Sequence, residues 1–337
     1  MQVSFELFSG VIFLFCAMVV ASAALSMDDT VEYKPREYGF EAKYVTINGI
    51  RICYVDEGSG ERVLILVHGL SGSIYNWIGA IRHYSSSYRV VALDLPGHGN
   101  SEKRNDIPYG IPLFADTVNG LMDHLDIQKA VVMGMSMGGH TVVYFAWKYP
   151  ERTEALVPID AAGLGANFPR VAKYFLKNHP EWLAKKITNM ARKGAKKNKQ
   201  SLMDKFTLTS GKDGGRFPRF WDSSKPTTKK WIDDTNAYMK HFIWTDEFPK
   251  FNYAILKCAL AIMETPMNNK VNDIRVPTLI VWGDHDGLVD IKCAYAYADG
   301  IAGSTLTIIR DCGHMPPVEE PEQFNTALEK FLATLPK

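Results

Sequence analysis

Cysteine is scarce in this chain: five residues in 337, at positions 16, 53, 258, 293 and 312. That is too few for a scaffold held by disulfides, and the spacing matches no zinc site. Cys53, Cys258, Cys293 and Cys312 read most simply as small buried apolar side chains. Charge of one sign is lacking too. Lys plus Arg is 38 and Asp plus Glu is 37, a net charge of +1, which argues against a nucleic-acid binder held by bulk charge. With 26 glycines the chain is far from a collagen repeat, and with 46% hydrophobic residues it is no disordered chain. There is no internal repeat, no low-complexity tract and no N-x-S/T sequon.

Long hydrophobic runs are limited to one, Val11 to Leu25. As a helix it would reach roughly 22 Å, short of a bilayer core of ~30 Å. Ala21-Ser22-Ala23 has the small-residue form of a signal cleavage site, although no Lys or Arg precedes Lys34. Residues 1–26 are therefore read as a signal peptide or a membrane anchor. Either implies the secretory pathway, with a secreted or membrane-associated product.

Beyond that run, short β-rich stretches alternate with turns and helical stretches. Tyr44–Ile47 and Arg51–Val55 flank Asn48-Gly49, a hairpin signal. Val63–Val67, Arg89–Leu93, Ala130–Gly134, Ala155–Ile159, Pro277–Trp282 and Thr305–Ile309 are apolar enough for a parallel sheet buried on both faces. The fold class is α/β: a mostly parallel central sheet flanked by helices, with antiparallel strands added by the opening hairpin. Between about Gly163 and Val271 the alternation stops. This stretch carries Lys185-Lys186, Arg192-Lys193, Lys196-Lys197 and Lys199. It also holds Phe217, Phe220, Trp221, Trp231, Trp244 and Phe251. It reads as a helical insertion between two strands. The domain plan is a core half at 40–162, the insertion at 163–270 and a second core half at 271–335.

Gly134-Met135-Ser136-Met137-Gly138 matches G-x-S-x-G, after a strand and before a helical run from Gly139 to Lys148. The pattern demands a sharp strand-to-helix turn that lifts a serine hydroxyl clear of the sheet. Such a hydroxyl needs a base within reach and a carboxylate to orient that base. His314, in Gly313-His314 just after the last strand, is the candidate base. His68, His98 and His140 have weaker claims, being in glycine-rich turns or inside the helix after Ser136. Asp286 is the preferred acid, because it lies far enough into its loop to reach His314. Asp284 is expected to brace that turn, and Asp160 is a lesser candidate. The order Ser…Asp…His agrees with the α/β-hydrolase arrangement. The oxyanion donors are assigned to the N–H groups of Met137 and Leu70. This chemistry needs no metal and no organic cofactor.

Taken together, these residues resemble the α/β-hydrolase superfamily from about Tyr44 to Leu332. The shared motifs are His68-Gly69 with Trp77, Asp94 to Ser101, Gly134 to Gly139, Trp282 to Asp286 and Gly313-His314. Ser-Met-Gly-Gly at 136–139, Ala162-Gly163-Leu164, Leu288-Val289-Asp290 and Cys-Gly-His at 312–314 look like the monoacylglycerol lipase branch that bears an N-terminal hydrophobic segment. The resemblance implies the same triad and makes the insertion a helical lid. With serine at 136, and no aspartate at 135–137, the epoxide hydrolase and haloalkane dehalogenase types are set aside.

The expected activity is that of a serine carboxylester hydrolase. Its substrate would be a lipid-like ester such as a monoacylglycerol, cleaved through an acyl-enzyme on Ser136. One alternative keeps fold and triad but cleaves a carbon–carbon bond in a dicarbonyl dienoate. Another is a non-catalytic binding protein of the same fold. Arg170 to Lys240 holds 18 Lys plus Arg against 6 Asp plus Glu. Its net +12 reads as a solvated helical face or as a surface for an anionic membrane, with no nucleic-acid partner.

Overall fold

A computed structural model describes residue 32 and residues 34–164, 170–196 and 221–336. Residues 1–26, and Lys197, Lys199, Phe217 and Phe220 of the insertion, lie outside the described residues.

Asn48 and Gly49 both adopt positive φ, 52° and 75°. This pair closes the hairpin between β1 (Lys43–Ile47) and β2 (Ile50–Glu57). The remaining strands are β3 (Val63–Val67), β4 (Arg89–Leu93), β5 (Ala130–Met135), β6 (Thr153–Ile159), β7 (Leu279–Gly283) and β8 (Thr305–Ile309). They form one eight-stranded sheet in the order β1-β2-β4-β3-β5-β6-β7-β8. The β1/β2 and β2/β4 pairs are antiparallel and the others parallel. Every residue of β3 and β5 is buried, as strands covered on both faces must be.

Strand ends differ from the sequence expectation in two instructive places. β5 runs through Met135 and the next helix begins at Met137, so Ser136 alone makes the turn. β7 begins two residues later than expected. Pro277 has no N–H to give and contributes only its carbonyl, which accepts the Leu156 N–H at 2.9 Å. Contact between β6 and β7 is sparse. Ile159 pairs with Val281, and Leu156 makes one isolated bridge to Thr278.

Alternate residues of each strand serve opposite faces. Ile65, Val67, Val91, Leu93 and Val132 pack under α2 (Ile111–His124) and α3 (Met137–Lys148). Leu64, Leu66, Val90, Ala92, Val131 and Met133 join the cluster that includes Ile81, Phe324 and Leu328. Ile81 lies on α1 (Ile78–Tyr84) and the other two on α10 (Pro321–Leu332). Between β6 and β7 come α4 (Arg170–Asn178), α5 (Pro180–Lys196), α6 (Pro226–Phe242) and α7 (Glu247–Glu264). They share a separate apolar core of Leu183, Ile187, Phe242, Phe248 and Ile255. Helix α7 serves both cores, giving Ala254 and Cys258 to the sheet and Phe251 and Ile255 to the insertion. Helix α8 (Lys292–Gly300) precedes β8, and the short α9 (Pro316–Glu319) precedes α10. Cys53, Cys258 and Cys312 are buried, Cys293 is half-buried, and all four are free thiols.

Asp94, fully buried after β4, ties three segments together. Its Oδ2 accepts from the Tyr38 hydroxyl at 2.6 Å and the Asn100 N–H at 2.7 Å, and its Oδ1 accepts from the Ile74 N–H at 2.8 Å. Asp94→Ala leaves these donors buried and unpaired. It is expected to destabilise the protein by about 3 kcal/mol or more in urea denaturation. A loss under about 1 kcal/mol would contradict this role.

Candidate active site

The turn at Ser136 is set by backbone contacts that exclude side chains. Ser136 adopts φ 59° and ψ −117°. Its N–H donates to Ile159 at 2.9 Å, and its carbonyl accepts from His140 at 3.0 Å and Ala162 at 3.1 Å. A Cβ on Gly138 would stand 2.2 Å from the Val67 carbonyl oxygen. One on Gly69 would press the Ser136 side chain at 3.1 Å. Glycine at both positions lets the β3 loop and the head of α3 close around the serine. Ser136 is half-exposed while its flanking residues are buried, so the chain has one hydroxyl to offer here.

His314 sits between β8 and α9 and is 6% exposed. Its Nδ1 lies 2.8 Å from Asp286 Oδ2. Asp286 Oδ1 accepts from the N–H groups of Leu288 at 2.8 Å and Val289 at 3.1 Å. Its side chain is fully buried, so these contacts suit a carboxylate and assign the imidazole proton to Nδ1. Nε2 is then the basic nitrogen, as a general base for Ser136 requires. Ser136 and His314 are not hydrogen-bonded in this structure, a bond that commonly tightens only with substrate.

Asp284 is exposed and accepts from the Cys312 N–H at 3.1 Å and from His285 Nδ1 at 2.7 Å. Partial burial works against ionisation. The N–H groups of Cys312 and Asp311 and the His285 ring outweigh it and hold this carboxyl below its ordinary range. Asp160 stands at the end of β6, fully buried. Its Oδ1 accepts the Gly283 N–H at 2.9 Å. Burial first, and Asp286 second, push it well above the ordinary carboxylate range.

Neither the Leu70 nor the Met137 N–H donates to a protein acceptor among the described residues. Met137 opens α3, where the helix dipole also favours negative charge. His68, which the sequence suggested only as a turn residue, braces this loop. Burial lowers its pKa and keeps it neutral. Its Nε2 accepts the Leu95 N–H at 3.0 Å, which leaves Nδ1 to donate to the Gly69 carbonyl at 2.7 Å.

Glu319 was missed by sequence reasoning. It is 2% exposed and turns back from α9 onto the His314 loop. Oε1 accepts the Met315 N–H at 3.0 Å, and Oε2 accepts the N–H groups of Gly313 at 3.2 Å and Asp222 at 2.9 Å. It therefore grips both neighbours of His314 and ties them to the insertion. The only sequence signal is the pair Glu319-Glu320 after Pro316-Pro317-Val318, which does not reveal that the chain reverses.

A sharp serine turn, a buried His–Asp pair and two free N–H groups, carried on this sheet order, define a class that known proteins share. The profile of the alpha/beta hydrolase fold matches residues 62–321, and the chain belongs to that family. It is 28% identical over 315 residues to the 2-hydroxy-6-oxononadienedioate/2-hydroxy-6-oxononatrienedioate hydrolase of Escherichia coli. That match covers 90% of this chain and 99% of the relative. Among solved structures it resembles the enol-lactonase of Burkholderia xenovorans LB400, with TM-score 0.65 and 24% identity, covering 86% of this chain and 100% of that one. It also resembles a membrane phospholipase A described as a bacterial virulence factor, with TM-score 0.66 and 23% identity, covering 88% and 87%. These two likenesses speak to the fold.

Burial pushes Glu319 up to about 7, above its value in the unfolded chain. Its titration therefore favours the fold at low pH, and that contribution is lost as pH rises through about 7. Glu319→Gln puts an NH2 that cannot accept where a carboxyl oxygen receives backbone N–H groups, and is expected to cost about 1–3 kcal/mol at pH 5. Because Gln does not titrate, the gap to wild type should narrow at pH 8. Urea midpoints at the two pH values measure this, and a gap that widens would contradict it.

Proposed function

We propose that this hydrolase works through an acyl-enzyme on Ser136 and cleaves a carbon–carbon bond beside the carbonyl of an oxo-dienoate. The observation that carries the substrate class is the 28% identity to the dienedioate hydrolase over nearly its whole length. It favours this bond over the monoacylglycerol ester suggested by the short motifs. Ser136 Oγ attacks the carbonyl carbon while His314 Nε2 takes its proton and Asp286 holds the imidazolium. The N–H groups of Leu70 and Met137 receive the oxyanion. When the bond breaks, His314 returns the proton to the departing carbon, whose electron pair is spread over the conjugated enolate. Water, deprotonated by the same histidine, then releases the acyl group as a carboxylic acid.

A lipid-like ester is the second reading, with an alcohol as the leaving group. One specific observation favours it. Leu70, at the oxyanion loop, packs against the apolar core of the insertion. The outer face of α5 meanwhile exposes Trp182 (53%) and Met190 (49%) among Lys185, Lys186 and Lys193. Lys186 Nζ lies 4.8 Å from the Trp182 ring centre. Aromatic, thioether and ammonium groups on one helix face suit an anionic lipid surface, at about 1 kcal/mol per cation. In this reading the N-terminal hydrophobic run delivers the protein to the secretory or membrane system. Among the described residues no helix is long and apolar enough to cross a membrane.

Two experiments separate these readings. A fluorophosphonate should label wild type and not Ser136→Ala. Turnover of a 2-hydroxy-6-oxo-dienoate, followed by loss of its absorbance, should then exceed turnover of monoacylglycerols and aryl esters in kcat/KM. The reverse order would replace the first reading with the second. Co-sedimentation with vesicles tests the surface. Binding should require anionic lipid, weaken with salt and fall at least tenfold in a Lys185→Glu/Lys186→Glu variant. Binding indifferent to lipid charge would remove the membrane from the account.

A further inference from the structure

The buried carboxyl of Asp160 has no part in the chemistry just described, although its position is unusual. It leaves β6 at φ 43°, a left-handed conformation that Asp tolerates better than most residues, and it is 0% exposed. Its N–H donates to the Val281 carbonyl at 3.0 Å and its Oδ1 accepts from Gly283 at 2.9 Å. Oδ2 is buried without a hydrogen-bond partner. One carboxylate oxygen of Asp160, one of Asp286 and one ring nitrogen of His314 all lie within 4.8 Å of one another.

Two carboxylates so close, in a site closed to water, do not both ionise. The donors decide which one carries the charge. Asp286 receives two backbone N–H groups and the imidazole N–H, whereas Asp160 receives one backbone N–H. The proton therefore rests on Asp160. Once protonated, Oδ2 is no longer an orphan acceptor, because it becomes a donor aimed at Asp286. Glu319 is the other acidic group acting on this pocket, and burial favours its neutral form as well.

We propose that Asp160 is a reserve acid for His314: a positioning residue that stays neutral beside a charged Asp286 and takes over the imidazole when Asp286 cannot hold charge. In the wild type it donates to Asp286 and steadies the side chain that steadies His314. With Asp286 neutralised, only burial and the nearby Glu319 carboxyl oppose ionisation of Asp160. The imidazolium that forms during attack then has a carboxylate within 4.8 Å, a gap that a small side-chain shift closes.

This inference rests on Ser136, Asp286 and His314 acting as a triad, so its test includes a readout that does not need turnover. The strongly downfield imidazole proton in the NMR spectrum reports a carboxylate on His314. It is expected in wild type and Asp160→Asn, to persist in Asp286→Asn, and to vanish in the double variant. Phosphonylation of Ser136 should follow the same order. Asp160→Asn should keep the downfield proton, because Asn still accepts from Gly283 and still donates to Asp286. Asp286→Asn should lose far less than the ~10⁴-fold seen when an orienting aspartate has no substitute. The double variant should lose that much. Melting curves for all four proteins separate misfolding from loss of orientation. An Asp286→Asn protein that melts like wild type, lacks the downfield proton and is as inert as the double variant would overturn the proposal. If wild type resists phosphonylation but the proton signals follow the expected order, the triad reading fails and the placement of Asp160 stands.

Discussion

At Ser136 a strand becomes a helix within one residue, and most of the site follows from that compression. The turn at φ 59° holds because the carbonyls of Val67 and Ile159 pass close by on either side. Only glycine at 138 admits the first of these approaches. The same closeness puts the Gly69-Leu70 loop against the serine and brings the first N–H of α3 beside it. The Ser136 hydroxyl and the N–H groups of Leu70 and Met137 are thus placed by one backbone feature. A single added methyl would disturb both, so this placement rests on small residues at 69 and 138.

The sheet and its helices were readable from the chain because apolar five-residue runs between turn signals have few other fates. Ser136, Asp286 and His314 were readable for a related reason, since each follows a strand at the same edge. The members that stayed hidden act across large sequence distances. Glu319 reaches back to Gly313 and forward in space to Asp222. His68 grips Leu95, 27 residues on. Asp160 was visible as a possible acid, but its partnership with Asp286 depends on the fold setting β6 beside β7. Local pattern names the residues that do chemistry more readily than those that hold them still.

The substrate is harder to read for a physical reason. On the proposed mechanism the triad acts on any carbonyl brought to it, and the leaving group is chosen by the walls around it. On the same proposal those walls include the insertion, whose helices are recognised by an amphipathic pattern common to many proteins. Leu70 shows how the two parts meet. It packs at once on the sheet core and on the insertion core, so the Gly69-Leu70 loop is held by both.

The thin pairing between β6 and β7 has a mechanical meaning. Ser136 belongs to the plate ending in β6, while Asp286 and His314 belong to the plate made of β7 and β8. One ladder position, one bridge, the contacts of Asp160, the Tyr297 hydroxyl on the Ala162 carbonyl and apolar packing on both faces join the two plates along this seam. Alignment of hydroxyl and imidazole is therefore a matter of how two stiff bodies are riveted. The rivet nearest the chemistry is a carboxyl group.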